Sequence, residues 1–186
     1  MQTLRRGHVD NWKLNHRRGI VIVAIWKKEI NVALIGLSTV VVLVDQATKF
    51  WIQSRMSYGE SIPVISDVFH ITYILNPGAA FGILENKTWF FVIVALILIS
   101  GVAYIYPRLP KDKPFIKIGA GLLTGGAVGN LIDRVRIGYV VDFFDFRIWP
   151  IFNIADICIV CGVACLAYVL LTTPDTANSE TEGNDS

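Results

Sequence analysis

Long apolar blocks alternate with short polar connections along this chain. The first block runs from about Ile30 to Val44 and continues through Asp45-Gln46-Ala47-Thr48-Lys49 into Phe50-Trp51. The second runs from Trp89 to Tyr106 without a charge, and the third from about Phe115 to Ile132 with Lys117 as its only charge. The fourth runs from about Ile154 to Leu171, and its only charge is Asp156. A helix needs roughly 20 apolar residues to cross the hydrocarbon of a bilayer, so the pattern predicts four transmembrane helices. The first block is the shortest, which puts its terminal polar residues at the membrane interface. The earlier run Ile20–Trp26 is too short to span and reads as an interfacial or packed segment. Between the first two blocks, from Met56 to Glu85, the stretch Val68–Ile74 is strand-like, with Pro63, Asn76-Pro77-Gly78 and Gly82 as punctuation, which predicts a small sheet. The expected fold is a membrane all-α core of four helices with a small β-rich platform and a surface loop or helix.

Composition supports the bilayer as solvent. Hydrophobic residues make up 53% of the 186 positions and charged residues 17%, against about 25% charged in soluble domains. The net charge of +2 is too small to point to nucleic acid. Its distribution matters more. Seven basic residues precede the first block and four (Arg108, Lys111, Lys113, Lys117) lie around the second connection, while the other two connections hold three each. Cytoplasmic loops carry the excess of Lys and Arg, so both termini are expected in the cytoplasm and the β-rich platform outside. The chain then divides into a basic extension over 1–29, a four-helix membrane unit over 30–171 with its platform at about 50–87, and an acidic, disordered tail over 172–186. No small-residue cleavage site follows the first long apolar block, so the N-terminal stretch does not read as a cleavable signal.

Polar residues gather at the end of the helices expected to face outward. Asp45 and Lys49 share a helical face at the exit of the first block. Asn130, Asp133 and Arg134 sit at helical spacing at the exit of the third, and Asn153 and Asp156 share a face at the entrance of the fourth. Between the last two groups, Val140-Val141-Asp142-Phe143-Phe144-Asp145 embeds carboxylates in an apolar stretch. Ionisable groups at membrane depth are costly and point to function. Each also has a structural reading. Asp45 and Lys49 make a plausible interfacial ion pair. Asn153 suits a helix N-cap, with Asp156 favoured in the first turn by the helix dipole. Asp133 and Arg134 resemble a structural salt bridge, and His70 a packed surface histidine. Spacing does not choose between Asp142 and Asp145. Gly121, Gly125 and Gly129 make a smooth stripe for helix packing. Cys158, Cys161 and Cys165 fall near one face of the last block with no charged partner, and read as packing residues rather than a metal site. No cofactor is implied.

Two carboxylates that share a site cannot both ionise easily, so one holds a proton while the other activates a water. The chain offers no Ser-Lys or Ser-His arrangement on the same face and no His-Glu-x-x-His motif. Five stretches then resemble, in order, the lipoprotein signal peptidase family (signal peptidase II): Asp45-Gln46-Ala47-Thr48-Lys49, Asn76-Pro77-Gly78-Ala79-Ala80-Phe81-Gly82, Gly126–Arg134, Val140-Val141-Asp142-Phe143 and Phe152-Asn153-Ile154-Ala155-Asp156. The resemblance covers about Ile30 to Leu171. It implies a membrane aspartyl protease of the bacterial inner membrane, working at the outer leaflet. Such an enzyme removes the signal peptide from diacylglyceryl-modified prolipoproteins just before the lipidated cysteine. The catalytic pair it implies falls on Asp142 and Asp156, which selects Asp142 over Asp145. Asp45, Lys49, Asn76, Asn130, Asp133, Arg134 and Asn153 fall on the family's other motif positions, with Arg134 a candidate for holding substrate. Globomycin-type cyclic peptides are the expected inhibitors, and membrane lipids the expected surroundings. A proton- or cation-relaying transporter is the reading from another class; it would place carboxylates nearer the middle of the helices.

Overall fold

The computed structural model describes residues 32–78, 87–109 and 112–172. The short run Ile20–Trp26, the extension 1–29, the motif residues 79–82 and all but the first residue of the tail lie outside the described residues. Four helices are long and apolar enough to cross a membrane. They are α1 (Val32–Arg55), α2 (Thr88–Ile105), α3 (Pro114–Ile137) and α4 (Ile154–Thr172). A short 3-10 turn, Tyr106–Arg108, extends α2. Three strands, β1 (Ser61–Ile65), β2 (Phe69–Asn76) and β3 (Val140–Asp145), form an antiparallel sheet in the order β1-β2-β3.

The bundle is organised around α3, whose glycines let its neighbours approach closely. A Cβ at Gly121 would stand 2.8 Å from a methyl of Leu37, and one at Gly125 would stand 2.7 Å from Cβ of Val41. That face seats α1, as the stripe predicts. A second set of small residues seats α4 on the opposite side: a Cβ at Gly119 would meet Gly162 O at 2.9 Å, and one at Gly162 would meet Leu123 N at 2.7 Å. In lipid, where apolar burial drives little association, this backbone-level packing is what holds helices together. By contrast α2 has no buried residue. It packs chiefly on α3, and Thr88 Oγ1 ties its start to Gly138 O at 2.7 Å.

The helix ends show why the chain turns where it does. Pro114 opens α3, and Gly138 closes it in the left-handed region at φ 80°, its N–H bonded to Arg134 O. α3 therefore runs more than a turn past the expected Ile132, and Asp133 and Arg134 are helical. α1 likewise continues to Arg55, so the platform begins after it rather than near residue 50. Its polar residues are buried in the protein: Asp45 is 0% and Lys49 2% exposed. Partners within the bundle satisfy them, and the helix passes through without interruption.

The sheet joins two segments distant in sequence. β1 and β2 form a hairpin within the expected small sheet, and β3 adds to β2 with Ile74 opposite Asp142 and Asn76 opposite Val140. Residues 134–150 are thus the end of α3, then a strand, and a loop only after Asp145. Ile52 of α1, Met56 just beyond its end, Tyr73 of β2 and Val141 and Phe143 of β3 form one buried cluster. That cluster clamps the sheet onto the end of α1 and holds Asp142 between two core side chains. His70 packs on the sheet as expected, with Nδ1 3.1 Å from Ser61 Oγ.

Candidate active site

Asp142 and Asp156 reach a common cavity from different elements. Asp142 projects from β3 and is 1% exposed, whereas Asp156 sits half-buried in the first turn of α4. Asn153 starts that helix with a reciprocal cap: Asp156 N–H donates to Asn153 Oδ1 at 3.0 Å, and Asn153 N–H donates to Asp156 Oδ2 at 3.2 Å. The capping role read from the sequence is present, and it leaves both residues free for a second one. Asn153 Nδ2 also donates to Asp142 Oδ1 at 2.6 Å and to Asn130 Oδ1 at 3.1 Å. Asn130 Nδ2 in turn donates to Asp156 Oδ1 at 2.7 Å, and Asn76 Nδ2 donates to Asp142 Oδ2 at 2.9 Å. Three asparagines from α3, α4 and β2 therefore cradle the two carboxylates.

Behind this cradle lies a buried ionic cluster. Lys49 Nζ is 2.9 Å from Asp45 Oδ2, 2.8 Å from Asp133 Oδ2 and 2.9 Å from Asn130 Oδ1. The ion pair expected between Asp133 and its neighbour Arg134 is made with Lys49 instead, because consecutive helical residues point in directions about 100° apart. The remaining carboxylate lone pairs find donors. Asp45 Oδ1 accepts from Ala155 N–H at 3.0 Å and Asp133 Oδ2 from Val141 N–H at 3.2 Å. Gln46 Nε2 donates to Asp45, to Asp133 and to Gly129 O at 3.0–3.2 Å. Removing charges from water is costly, and such a cluster survives only when every group is satisfied. It ties α1, α3, β3 and α4 at one level. Gln46 was not singled out in the sequence; a polar residue inside an apolar helix, one position from Asp45, was its signal.

Asp142 and Asp145 behave as two different groups. Three positions apart in a strand, they point to opposite faces. Burial works against ionisation of Asp145, but hydrogen bonds from Thr72 and from the Arg147 backbone and side chain, and the Arg147 charge, outweigh it and hold the carboxyl below its ordinary range. Asp142 is pushed up to about 7, first by burial and then by the negative charge of Asp156, against the pull of Asn76, Asn153 and Lys49. A carboxyl in that range exchanges its proton near neutral pH.

The cavity beyond the carboxylates measures about 390 Å³. Its apolar wall is α2, through Phe91, Val94, Ala95 and Leu98, and Trp149 and Phe152 form part of the rim. Arg134 lines it too. Its guanidinium lies 4.9 Å from the centre of the Phe91 ring, and Nη2 reaches Gly78 O at 3.4 Å. All nine residues singled out in the sequence thus meet at one end of the bundle. The apolar wall escaped notice, because α2 carries no polar signal. Among the described residues, no group of His, Cys, Asp and Glu side chains is arranged to hold a metal ion.

Four helices long and apolar enough to span a bilayer, with a carboxylate-lined cavity at one end, define a multi-pass membrane protein with a candidate acid–base site. Comparison with known proteins makes this specific. The family described as signal peptidase (SPase) II matches residues 37–172. The lipoprotein signal peptidase of Pelotomaculum thermopropionicum is 53% identical over 141 residues, covering 76% of this chain and 93% of the relative. That of Moorella thermoacetica is 50% identical over 135 residues, covering 73% and 90%. A solved bacterial membrane enzyme, determined by the in meso method at 2.3 Å, superposes with a TM-score of 0.69 at 40% identity over 79% of this chain and 91% of its own. The chain belongs to the signal peptidase II family of proteases.

Proposed function

We propose that the protein is an aspartic endopeptidase that removes the signal peptide from diacylglyceryl-modified prolipoproteins, cutting just before the lipidated cysteine. The observation that carries this reading is the convergence of Asp142 and Asp156 on one cavity, cross-linked by Asn130 and Asn153. The names of its relatives supply the substrate class. Asp142, the more deeply buried, holds the proton, and Asp156, open to the cavity, is the base. Asp156 takes a proton from water as the oxygen adds to the scissile carbonyl carbon, while Asp142 protonates the carbonyl oxygen. Collapse of the resulting diol returns a proton to Asp142, and Asp156 hands its proton to the leaving nitrogen. The C–N bond breaks to a carboxylic acid and a free amine on the lipidated cysteine. Arg134 and Gly78 at the cavity edge suit a peptide backbone, and the α2 wall suits apolar side chains. Asp45, Lys49, Asn76, Asn130, Asp133 and Asn153 shape the site.

The charge distribution supports an orientation with both termini in the cytoplasm of a bacterial inner membrane and the site at the outer leaflet. There a substrate anchored by acyl chains is confined with the enzyme, so modest peptide contacts suffice. Residues 30–171 form the peptidase unit, with 1–29 a basic extension and 172–186 an acidic tail. Globomycin-type cyclic peptides would occupy the same cavity. Asp142→Asn and Asp156→Asn, each shown to be folded, are expected to lose at least about 1000-fold in cleavage of a lipidated precursor. Wild-type activity in either one rules out the aspartic mechanism.

A further inference from the structure

Burial favours the proton on Asp142, and the ionised form of Asp156 depends on the donors aimed at it. Lys49 is placed to fix one of those donors without touching the cavity. Its ammonium has three hydrogens and no lone pair. Two of its contacts are to Asp45 and Asp133, and the third is to Asn130 Oδ1. The other oxygen of Asp45 is taken by Ala155 N–H and that of Asp133 by Gln46, while Val141 N–H shares Asp133 Oδ2 with Lys49. A side-chain amide is nearly symmetric in shape, so its orientation follows its partners. A donor-only ammonium at 2.9 Å forces the oxygen of Asn130 toward α1, which leaves its nitrogen to face Asp156 Oδ1 at 2.7 Å. Asn153 assists less, since its nitrogen is shared between Asn130 at 3.1 Å and Asp142 at 2.6 Å.

Resting on the reading of Asp142 and Asp156 as the catalytic pair, we infer that Lys49 is a positioning residue: by holding the Asn130 amide with its nitrogen on Asp156, it keeps Asp156 the ionised member. Without Lys49 the amide is free to turn its oxygen toward Asp156, where two sets of lone pairs would meet. The ionised form then loses a donor, and activity is reached only at higher pH. The charged groups around this point are Asp45 on α1, Asp133 and Arg134 on α3, Asp142 on β3 and Asp156 on α4, and Arg134 acts electrostatically on the last two. α2 carries no charged residue.

The test is the pH profile of precursor cleavage by the purified full-length enzyme carrying Lys49→Met. The acidic limb is expected to move up by about one pH unit, with kcat depressed on that limb and KM unchanged, because Lys49 is only 2% exposed. Should this variant fail to fold, Lys49→Met/Asp133→Asn preserves the net charge of the buried cluster and the same shift is read there. An acidic limb that stays in place, whatever the fall in rate, overturns the inference and leaves the aspartate pair intact. Active Asp142→Asn or Asp156→Asn enzymes would overturn the pair and this inference together.

Discussion

At the scale of single residues, local chemistry separates carboxylates that look alike in the sequence. Asp145 shares the apolar flanks of Asp142 but is bound by Thr72 and Arg147 on the other face of β3. Its folded-state acidity is increased, so the stability it contributes is present above the ordinary carboxylate range and is lost as pH falls through its depressed value. Asp145→Asn is expected to lower stability by about 1.5–3 kcal/mol at neutral pH, as for hydrogen bonds to a charged acceptor, with cleavage retained. Denaturant melts beside the precursor assay check both, and loss of turnover in folded enzyme would put Asp145 back among the catalytic candidates. The same scale explains why the first-turn carboxylate of α4 has two roles. One oxygen of Asp156 caps a helix through Asn153 N–H, and the other is held by Asn130 and faces the cavity.

At the scale of elements, α3 is the axle. Its two glycine faces let α1 and α4 approach to within backbone contact, which brings Asp45 beside Gly129 and Ala155. A Cβ at Gly129 would stand 2.6 Å from Asp45 Oδ2. Gly125→Leu would drive α1 away, since Val41 and Ser38 O already stand within 3 Å of where its Cβ would sit. Overpacking of this kind costs about 1–3 kcal/mol, and in this bundle it also pulls Lys49 off Asn130. The expected outcome is a lower Tm and little activity. A Cβ added at Gly101 on α2 would meet nothing within 4 Å, and replacing a mid-helix glycine by alanine adds about 1 kcal/mol of helix preference, so the Tm of Gly101→Ala should hold or rise. Equal melting of the two variants would contradict the assignment of α3 as the packing centre. The stripe Gly121, Gly125, Gly129 was legible because four-residue spacing survives in a sequence. The face containing Gly119 and Gly126 needed α4, with Gly162, to give it meaning.

At the scale of the whole molecule, charge asymmetry and site location belong to one argument. Two of the basic residues on the sheet side, Lys49 and Arg134, are drawn into the site rather than left in the loops. The loops there are therefore poorer in exposed positive charge than a simple count implies, which strengthens the proposed orientation. With Cys158, Cys161 and Cys165 replaced by alanine, a membrane-impermeant maleimide applied to intact cells should label Tyr58→Cys on the exposed platform. It should reach Asp112→Cys, in the link between α2 and α3, only after the membrane is opened. The reverse pattern would invert the topology and move the cavity to the wrong leaflet for a lipid-anchored precursor.

Local pattern along the chain is enough to place the four helices and their solvent. Blocks of about 20 apolar residues, basic flanks and a glycine stripe are local or periodic signals, and one helix reads them without its neighbours. Motif resemblance added the family and the nine polar residues. How those residues pair follows from the meeting of helices and strands in space. The strand status of Val140–Asp145 depends on β2, some 70 positions earlier, and the partner of Asp133 is Lys49 on another helix rather than Arg134 beside it. Burial followed the same rule: Asp45 and Lys49 would be exposed on a lone helix, yet lie in the protein interior once α3 and α4 supply their hydrogen bonds. A hydrogen bond is short-ranged and directional, so its partners are chosen by which elements meet in space, and no spacing along the chain encodes that meeting.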